Sequence, residues 1–342
     1  MIRKSNFELL RIISMLMIIG LHYFGNCNAN ELLGRDSNNY YVYYIIQSLF
    51  ICSVNVFVLI TGYFSVNEVF IKMRKIVVLL IDVIFWGAIG YFVLISLGLD
   101  VFNFKEFIKN CIPFIVGRLW FLKVYIILVL LIPFINILIK NISKSNFKAL
   151  IIICTILFSV WPSFFPHPPV TDSGFGIIQF IYLYLIAAYI RIHLTNYPKP
   201  IICLLGYLIS AYIIYFIMVN EIGYSWSYNY LFVIIESIFL FLLFAQFTFK
   251  SKIINNFASS SFVVYLIHSC ESFMVIIYDW IFDSKNAIFT NSFVFLLNFI
   301  LCLFIFYLFG YVLDNIKQFL FKKFVNNLID KLKLSSIEIT IN

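Results

Sequence analysis

Arg11 and His22 are two ionisable residues inside the first long apolar run of the chain, which extends from Phe7 to Phe24. An ionisable side chain at membrane depth costs about 3 kcal/mol on insertion scales, so it is usually retained for a cavity, a partner or a reaction. Eleven residues separate the two, which corresponds to three helical turns plus about 20°, with a rise of about 16 Å. We therefore predict that both lie on one face of a helix, where the guanidinium can hold an anion and the imidazole can act as a general base.

Further ionisable residues inside predicted membrane spans are Asp82, Glu236, His268 and Glu271, with Asp279 near an outer end. His268 and Glu271 are three residues apart, so we predict that they are neighbours on one helix surface, where the carboxylate would make the imidazole more basic and fix its tautomer. The alternative is a buried polar pair that joins two helices. Glu236 lies near the middle of its span with no local partner, and Asp82 is close enough to Lys75 to form a simple ion pair with that basic cluster.

An all-α bundle of transmembrane helices follows from the composition. The sequence is 63% hydrophobic and 12% charged, with a mean hydropathy of +1.00, whereas soluble domains are about half apolar and about a quarter charged. Apolar runs of about 20 residues, each long enough to cross a hydrocarbon core of about 30 Å, recur along the chain. We predict about ten spans, at roughly 8–26, 40–64, 76–98, 115–138, 149–166, 175–190, 201–219, 228–248, 258–282 and 292–313.

The distribution of basic residues predicts that both termini are cytoplasmic. Most of the 24 Lys and Arg residues fall in the termini and loops that this orientation places inside, as is usual for positively charged loops. The net charge of +8 is then explained by topology and by attraction to the anionic leaflet, so no nucleic-acid partner is expected. The expected partner is membrane lipid, and the expected location is the cell (plasma) membrane, as a multi-pass protein.

The chain is expected to form one transmembrane domain, residues 1–325, followed by a cytoplasmic, partly disordered tail at 326–342. From Asp314 onward, apolar residues at helical spacing with lysines between them indicate an amphipathic helix on the cytoplasmic leaflet. Seven cysteines are scattered singly, which predicts free thiols and no metal site. Because Arg11 interrupts the first apolar run, that run is expected to remain as a span and not to be removed as a signal peptide.

Four stretches together resemble the acyltransferase-3 family of integral membrane acyltransferases. Each is mostly apolar and weak alone, but their order and spacing agree with the family over about residues 3 to 325. They are Asn6-Phe7-Glu8-Leu9-Leu10-Arg11 with His22, Phe57-Val58-Leu59-Ile60-Thr61-Gly62-Tyr63, Leu119-Trp120-Phe121-Leu122 with Tyr125 and Pro133, and Ser261-Phe262-Val263-Val264-Tyr265-Leu266-Ile267-His268.

The resemblance implies a ten-helix bundle that moves an acyl group, most often acetyl, from cytoplasmic acyl-CoA to a hydroxyl of a cell-surface or lipid-linked glycan. Acyl-CoA, usually acetyl-CoA, is then a co-substrate, no metal is needed, and the reaction is typically O-acetylation of a polysaccharide. Where the family commonly has Arg-x-x-Arg after the second span, this chain has Lys72-Met73-Arg74-Lys75, which keeps the charge but offers fewer bidentate phosphate contacts. Some relatives bear an added hydrolase-like domain that completes transfer, so action together with polysaccharide-assembly proteins is an open alternative.

The same resemblance suggests roles for individual residues. Four basic residues would hold the CoA phosphates by charge-assisted hydrogen bonds, namely Arg11, Lys72, Arg74 and Lys75. His22, about three turns deeper, would meet the thioester, either as general base for the acceptor hydroxyl or as a transient acyl-imidazole. Glu236, or the pair of His268 and Glu271, would orient His22, and the spacing does not choose between them.

Arg118 and Trp120 are candidate acceptor-binding residues on the outer side, because sugars are gripped by aromatic faces and polar donors. Anchoring of the ring at the membrane–water interface explains Trp120 at this position equally well. A transporter or flippase for a lipid-linked sugar or small solute is the alternative function, which intramembrane charges and proline breaks at Pro113 and Pro133 would suit. No paired half-repeat supports it. A third alternative, a structural partner of a polysaccharide synthase, would tolerate replacement of His22.

Overall fold

The computed structural model describes residues 4–113, 119–222, 226–331 and 337–338, and these residues form a helical bundle. Helices are expected here because the backbone of a lipid-exposed segment must satisfy its own hydrogen bonds. The helices are α1 (Ser5–Asn26), α2 (Ala29–Leu32), α3 (Asn38–Phe50), α4 (Ser53–Ser65), α5 (Met73–Ser96), α6 (Phe104–Cys111), α7 (Trp120–Asn141), α8 (Lys144–Thr155), α9 (Trp161–Phe164), α10 (Ile177–His193), α11 (Pro200–Val219), α12 (Leu231–Ala245), α13 (Lys252–Ser259), α14 (Ser261–His268), α15 (Glu271–Met274), α16 (Ser284–Ala287) and α17 (Ser292–Lys331). Two π-helical segments, Ile156–Val160 and Val275–Ile281, continue α8 and α15.

Seven helical stretches among the described residues are long and apolar enough to cross a membrane. They are Ser5–Asn26, Asn38–Ser65, Met73–Ser96, Trp120–Asn141, Lys144–Phe164, Pro200–Val219 and Ser292–Lys323. An eighth stretch, Lys252–His268 with Glu271–Ile281, passes only as a pair bent by 90°. Two of the predicted spans correspond to shorter apolar helices, α10 and α12. The structure is therefore a helical bundle with several helices of membrane-spanning length, while ten spans and cytoplasmic termini stay predictions.

The structure confirms the continuity of some predicted spans and corrects that of one. The second predicted span is found as a single stretch, Asn38–Ser65, with a short turn between α3 and α4, where the Tyr207 hydroxyl donates to the Leu49 carbonyl at 2.7 Å and the Ser237 hydroxyl donates to the Cys52 carbonyl at 3.4 Å. The single span predicted at 258–282 was wrong, because the chain turns by 90° after His268. Conversely, α7 runs unbroken through Pro133, so the discontinuous helix suggested for a transporter is not found there.

α1 lies at the centre of the bundle. It packs against α3, α4, α12, α13, α14 and α17. Phe7 at its start is 2% exposed and contacts the rings of Tyr63, Phe64 and Phe241. Gly62 belongs to the second family-like stretch. A side chain is excluded there, because a Cβ would lie 2.8 Å from the Cβ of Ala187 on α10. Several of the family-like stretches thus fix the packing around α1.

α17 continues past the membrane-length segment as one helix of 40 residues, about 60 Å long. The amphipathic tail helix expected from Asp314 onward is therefore a direct extension of the last span and not a separate surface helix. Arg74 forms a 2.9 Å ion pair with Asp330 on this extension. A short antiparallel pair of strands, β1 (Phe70–Ile71) with β2 (Ile337–Glu338), also joins the chain end to the segment before α5.

Asp82 on α5 pairs with Lys317 on α17, and not with Lys75 as the sequence suggested. Both residues are less than 9% exposed, and the Lys317 ammonium also lies 5.5 Å from the ring centre of Phe85. Sequence alone could not find this pair because 235 residues separate its members.

Replacing Lys317 by Met is expected to destabilise the bundle strongly, because it leaves the Asp82 carboxylate buried and unpaired, a change that costs about 3–5 kcal/mol. The double variant Asp82→Leu/Lys317→Met should recover most of this loss. The measurement is the apparent Tm of detergent-solubilised protein. Arg74→Met is the control, since it breaks an exposed ion pair worth less than about 1 kcal/mol. Equal losses in the single and double variants would contradict the prediction.

Candidate functional site

A cavity of about 530 Å³ lies beside α1, enclosed by residues of α4, α5, α7, α13, α14 and α15. This volume is in the range of small-molecule and cofactor sites. It is lined by Glu8, Arg11, Met15, Ile18, Leu21, His22, Val54, Phe57, Thr61, Lys75, Leu79, Trp120, Phe121, Tyr125, Tyr228, Ala258, Ser259, Ser261, Phe262, Tyr265, Ser269 and Met274.

Arg11 and His22 both line this cavity, which confirms the prediction that they share one face of the first helix. Glu8, Met15 and Ile18 of the same helix line it too, at the three- and four-residue spacing of a single helical stripe. The stripe from position 8 to position 22 is about 21 Å long. The cavity is thus elongated along α1, and we call its two ends the Arg11 end and the His22 end.

The Arg11 end carries opposite charges. The Arg11 guanidinium donates to Oε1 of Glu8 at 2.9 Å, and the Arg11 side chain remains 33% exposed. Oε2 of Glu8 is buried and has no hydrogen-bond partner among the described residues. Lys75 reaches the same end, where its ammonium donates to the Tyr125 hydroxyl at 3.3 Å. Two cations against one carboxylate leave a net positive charge there, as an anion site needs.

Lys72 and Arg74 are not among the described residues that line the cavity. The Lys72 ammonium lies 2.5 Å from Glu68 on the preceding turn. Arg74 is paired with Asp330, as described above. Of the four basic residues expected to hold the donor phosphates, the structure brings only Arg11 and Lys75 to the cavity.

The His22 end is backed by a second histidine. The rings of His22 and His268 are in contact, with centroids 4.8 Å apart. His268 is fully buried, and its Nδ1 lies 2.9 Å from the Val264 carbonyl oxygen. A carbonyl oxygen can only accept, so Nδ1 carries the hydrogen and Nε2 keeps its lone pair. The Ser269 hydroxyl is 3.5 Å from that Nε2.

Local sequence explains how α14 places these groups. Ser261, Tyr265 and Ser269 line the cavity at a spacing of four, which is one helix face. His268 belongs to the adjoining face and ends α14, where the chain turns by 90°. The break therefore leaves the His268 ring behind His22 and opens Ser269 to the cavity.

The structure does not support the predicted pairing of His268 with Glu271 along one helix surface. Glu271 is exposed and begins α15, on the far side of the 90° break. The break arises at Ser269 and Cys270, where α14 ends and the polypeptide becomes extended before α15. Instead of a carboxylate, the partner that fixes the tautomer of His268 is the Val264 carbonyl.

Glu236 on α12 is fully buried, and neither carboxylate oxygen has a hydrogen-bond partner among the described residues. It is not among the described residues that line the cavity. Its neighbour is the Cys52 thiol at the break between α3 and α4. The role predicted for Glu236 in orienting the His22 ring therefore stays a prediction.

Trp120 lines the cavity within an aromatic wall. Its ring is stacked on Tyr228, with centroids 5.7 Å apart and planes at 27°, and it contacts Phe175 at 4.6 Å. Side chains hold the Tyr228 backbone in place, since Asn55 donates to its carbonyl at 2.8 Å. Arg118, the other predicted acceptor-binding residue, lies outside the described residues.

Several lining residues were not singled out from the sequence. Glu8 could have been predicted, because it stands three residues before Arg11 on the same helix, where the two side chains are neighbours. Tyr228 had none, since it lies in a loop between α11 and α12. Thr61 and Ser269 are small polar residues in apolar segments, and such residues are usually structural. Within the described ranges, no group of three His, Cys, Asp or Glu residues is placed to hold a metal.

The cavity therefore combines an anion-holding end, an apolar and aromatic middle, and a histidine pair at its far end. A family model described as an acyltransferase domain, that of the acyltransferase-3 family, matches residues 4–314. Comparisons with curated proteins and with solved structures give no match. The matched segment covers nearly the whole chain and includes every residue that lines the cavity. The chain thus belongs to the acyltransferase-3 family and is a membrane acyltransferase.

Proposed function

We propose that this protein transfers an acyl group, in the first place acetyl, from acyl-CoA to a hydroxyl of a cell-surface or lipid-linked glycan at the cell membrane. The observation that carries the proposal is the single cavity that joins Arg11 and Lys75 at one end to His22 at the other. An acyl-CoA has the same polarity, with anionic phosphates at one end and a thioester at the other.

The donor fits this cavity in one direction. The phosphates bind at the Arg11 end, where the guanidinium and the Lys75 ammonium supply charge-assisted hydrogen bonds. The extended pantetheine arm runs along the apolar stripe formed by Met15, Ile18 and Phe57. Arg11 and His22 are separated by a rise of about 16 Å along the helix, so the arm can bring the thioester to the imidazole.

The reaction needs one base at the thioester. His22 accepts the proton of the acceptor hydroxyl while that oxygen attacks the carbonyl carbon of the thioester. The tetrahedral intermediate then loses the CoA sulfur, and the thiolate takes the proton back from His22. The products are an acyl ester and free CoA, with no net change at the protein. His268 supports the step because its ring, held by the bond from Nδ1 to the Val264 carbonyl, contacts the ring that must carry the proton.

The acceptor approaches from the aromatic wall. Trp120 and Tyr228 expose ring surface to the cavity, and we place the acceptor against these rings. Sugars stack on such rings, and a few polar groups then fix their orientation. A glycan hydroxyl placed there lies on the opposite side of the thioester from the CoA phosphates, as direct transfer requires.

Arg11→Gln and Lys75→Gln are each expected to raise the KM for acetyl-CoA by about tenfold, because each removes one charge-assisted hydrogen bond worth about 1.5–3 kcal/mol. Arg74→Gln is the matched control. It removes a neighbouring cation that is engaged by Asp330 outside the cavity, so its KM should stay within about twofold of wild type. Kinetics with membrane vesicles and labelled acetyl-CoA measure all three.

The proposal itself is tested with purified protein in liposomes, supplied with labelled acetyl-CoA and de-esterified surface glycan. We expect base-labile label on the glycan and release of free CoA in equal amounts. If the glycan or a lipid-linked sugar crosses the liposome membrane with no ester formed, the transporter alternative is correct. If Arg74→Gln impairs donor use as much as Lys75→Gln, the donor does not bind at the Arg11 end.

A further inference from the structure

A second, smaller cavity of about 40 Å³ adjoins the His22 end of the main cavity. Ser269 lines both cavities. Its hydroxyl lies 3.5 Å from Nε2 of His268, whose ring contacts His22. The side pocket, as we call this smaller cavity, therefore opens next to the place where the proposed function puts the thioester.

Two glycines of α5 create the side pocket. A Cβ at Gly87 would lie 1.9 Å from the Asn110 carbonyl oxygen at the end of α6, and a Cβ at Gly90 would lie 2.5 Å from the Cys270 sulfur. Because neither side chain is present, α6 and the break between α14 and α15 both pack directly onto α5. A small space remains between these three segments.

The lining of the side pocket combines apolar side chains with the polar residues Asn110, Ser269, Cys270 and Glu271. Val83, Leu119 and Leu266 contribute apolar side chains that are 2–5% exposed. Trp86 is 4% exposed, and its indole N–H has no hydrogen-bond partner within the part of the chain that the structure describes. A buried donor without an acceptor is unfavourable. A group that brings both a methyl and a carbonyl oxygen would suit this lining.

We propose that the side pocket receives the acyl group of the donor and limits it to about three heavy atoms, with the Trp86 N–H donating to the acyl carbonyl oxygen. This inference rests on the proposed function. One water-sized group needs about 10–15 Å³ of such space, so the side pocket admits about three, which matches the methyl carbon, carbonyl carbon and oxygen of acetyl. A sugar ring or the pantetheine arm is too large for it.

The same contact would assist the chemistry. When the acceptor oxygen adds to the carbonyl carbon, the C=O electron pair moves onto the carbonyl oxygen, and the bond from Trp86 strengthens as negative charge develops. The charge returns when the C–S bond breaks and the CoA thiolate takes the proton from His22. The indole donates throughout and keeps its own hydrogen, so the reaction stays balanced.

Val83→Ala tests the size limit, because it enlarges the side pocket without touching the reacting atoms. The assay offers equimolar acetyl-, propionyl- and butyryl-CoA to membranes with de-esterified surface glycan, and mass spectrometry counts the esters formed. One methylene in a fitted pocket changes selectivity about 10–200-fold, so the butyryl-to-acetyl ratio should rise at least about tenfold over wild type. Val233→Ala, equally buried on α12 and away from both cavities, should leave the ratio unchanged.

Trp86→Phe tests the donor, because it keeps an aromatic ring and removes the N–H. We expect kcat for acetyl transfer to fall about 100-fold with the KM for acetyl-CoA unchanged. Leu266→Val gives a milder enlargement if Val83→Ala does not fold, as judged by size-exclusion chromatography. Unchanged acyl ratios in both pocket variants, or full activity in Trp86→Phe, would overturn the side-pocket assignment. If wild type forms no ester from any of the three donors, the proposed function itself fails.

Discussion

Replacing His22 by alanine is expected to lower the acyl ester content of the surface glycan by about 10²–10⁴-fold, the contribution that a positioned general base makes to a rate. The His22 ring lines the cavity at the end of the α1 stripe, and it contacts His268. No other imidazole lines the cavity within the described residues. Alanine therefore leaves the acceptor hydroxyl without an imidazole base in the described lining of the cavity.

The measurement is mass spectrometry of base-released acyl groups from cells that carry only the variant, with protein level checked by immunoblot. His167→Ala is the matched control, because His167 lies exposed in the loop after α9. It should keep wild-type ester content. An unchanged ester content in His22→Ala at normal protein level would refute His22 as the base and favour the structural-partner alternative.

Local periodicity predicted the parts of the site that lie within one helix. The shared face of Arg11 and His22 follows from the helical repeat alone, and the structure confirms it. Trp120 was predicted to bind the acceptor because aromatic faces grip sugars, and interfacial anchoring explained it equally well; the structure places its ring on the cavity wall. The α-helical membrane bundle likewise followed from composition and run length.

Long-range contacts account for most of what the sequence could not predict. Lys72 and Arg74 have the charge and the position in sequence to bind phosphates, but they form ion pairs with Glu68 and Asp330 respectively. Asp330 lies at the end of α17, and no sequence pattern links it to α5. The basic cluster before α5 therefore appears uniform in sequence, whereas only Lys75 reaches the cavity.

The helix break after His268 could not be predicted from the sequence, for a different reason. Ser269 and Cys270 are neither Gly nor Pro, the usual signals of a helix end, and apolar residues continue on both sides. The structure shows that the turn is accommodated by Gly90 on α5, which lets Cys270 approach closely. The residue that permits the break is thus distant in sequence, and a continuous span was the natural prediction.

His268→Phe is expected to lower kcat for acyl transfer about 100-fold, with the KM for acetyl-CoA changed less than about twofold, which is within the range attributed to general acid–base support. Phe keeps the packing of a buried ring against Tyr265 and Phe306. It removes both ring nitrogens, and with them the Nε2 lone pair through which we expect His268 to support the proton taken up by His22. His268 does not line the cavity itself, so it acts as a positioning residue.

His268→Gln separates this electrostatic role from packing. The Gln side chain can place its amide oxygen near the former Nε2 and accept a hydrogen bond there, although it has no ring. If His268 acts through His22, Gln should recover at least about tenfold of the activity lost in Phe, despite the poorer packing. If His268 only fills space, Phe should be the better substitute and Gln the worse one. The order of the two variants in kcat therefore decides whether the lone pair that Val264 fixes in place serves the reaction.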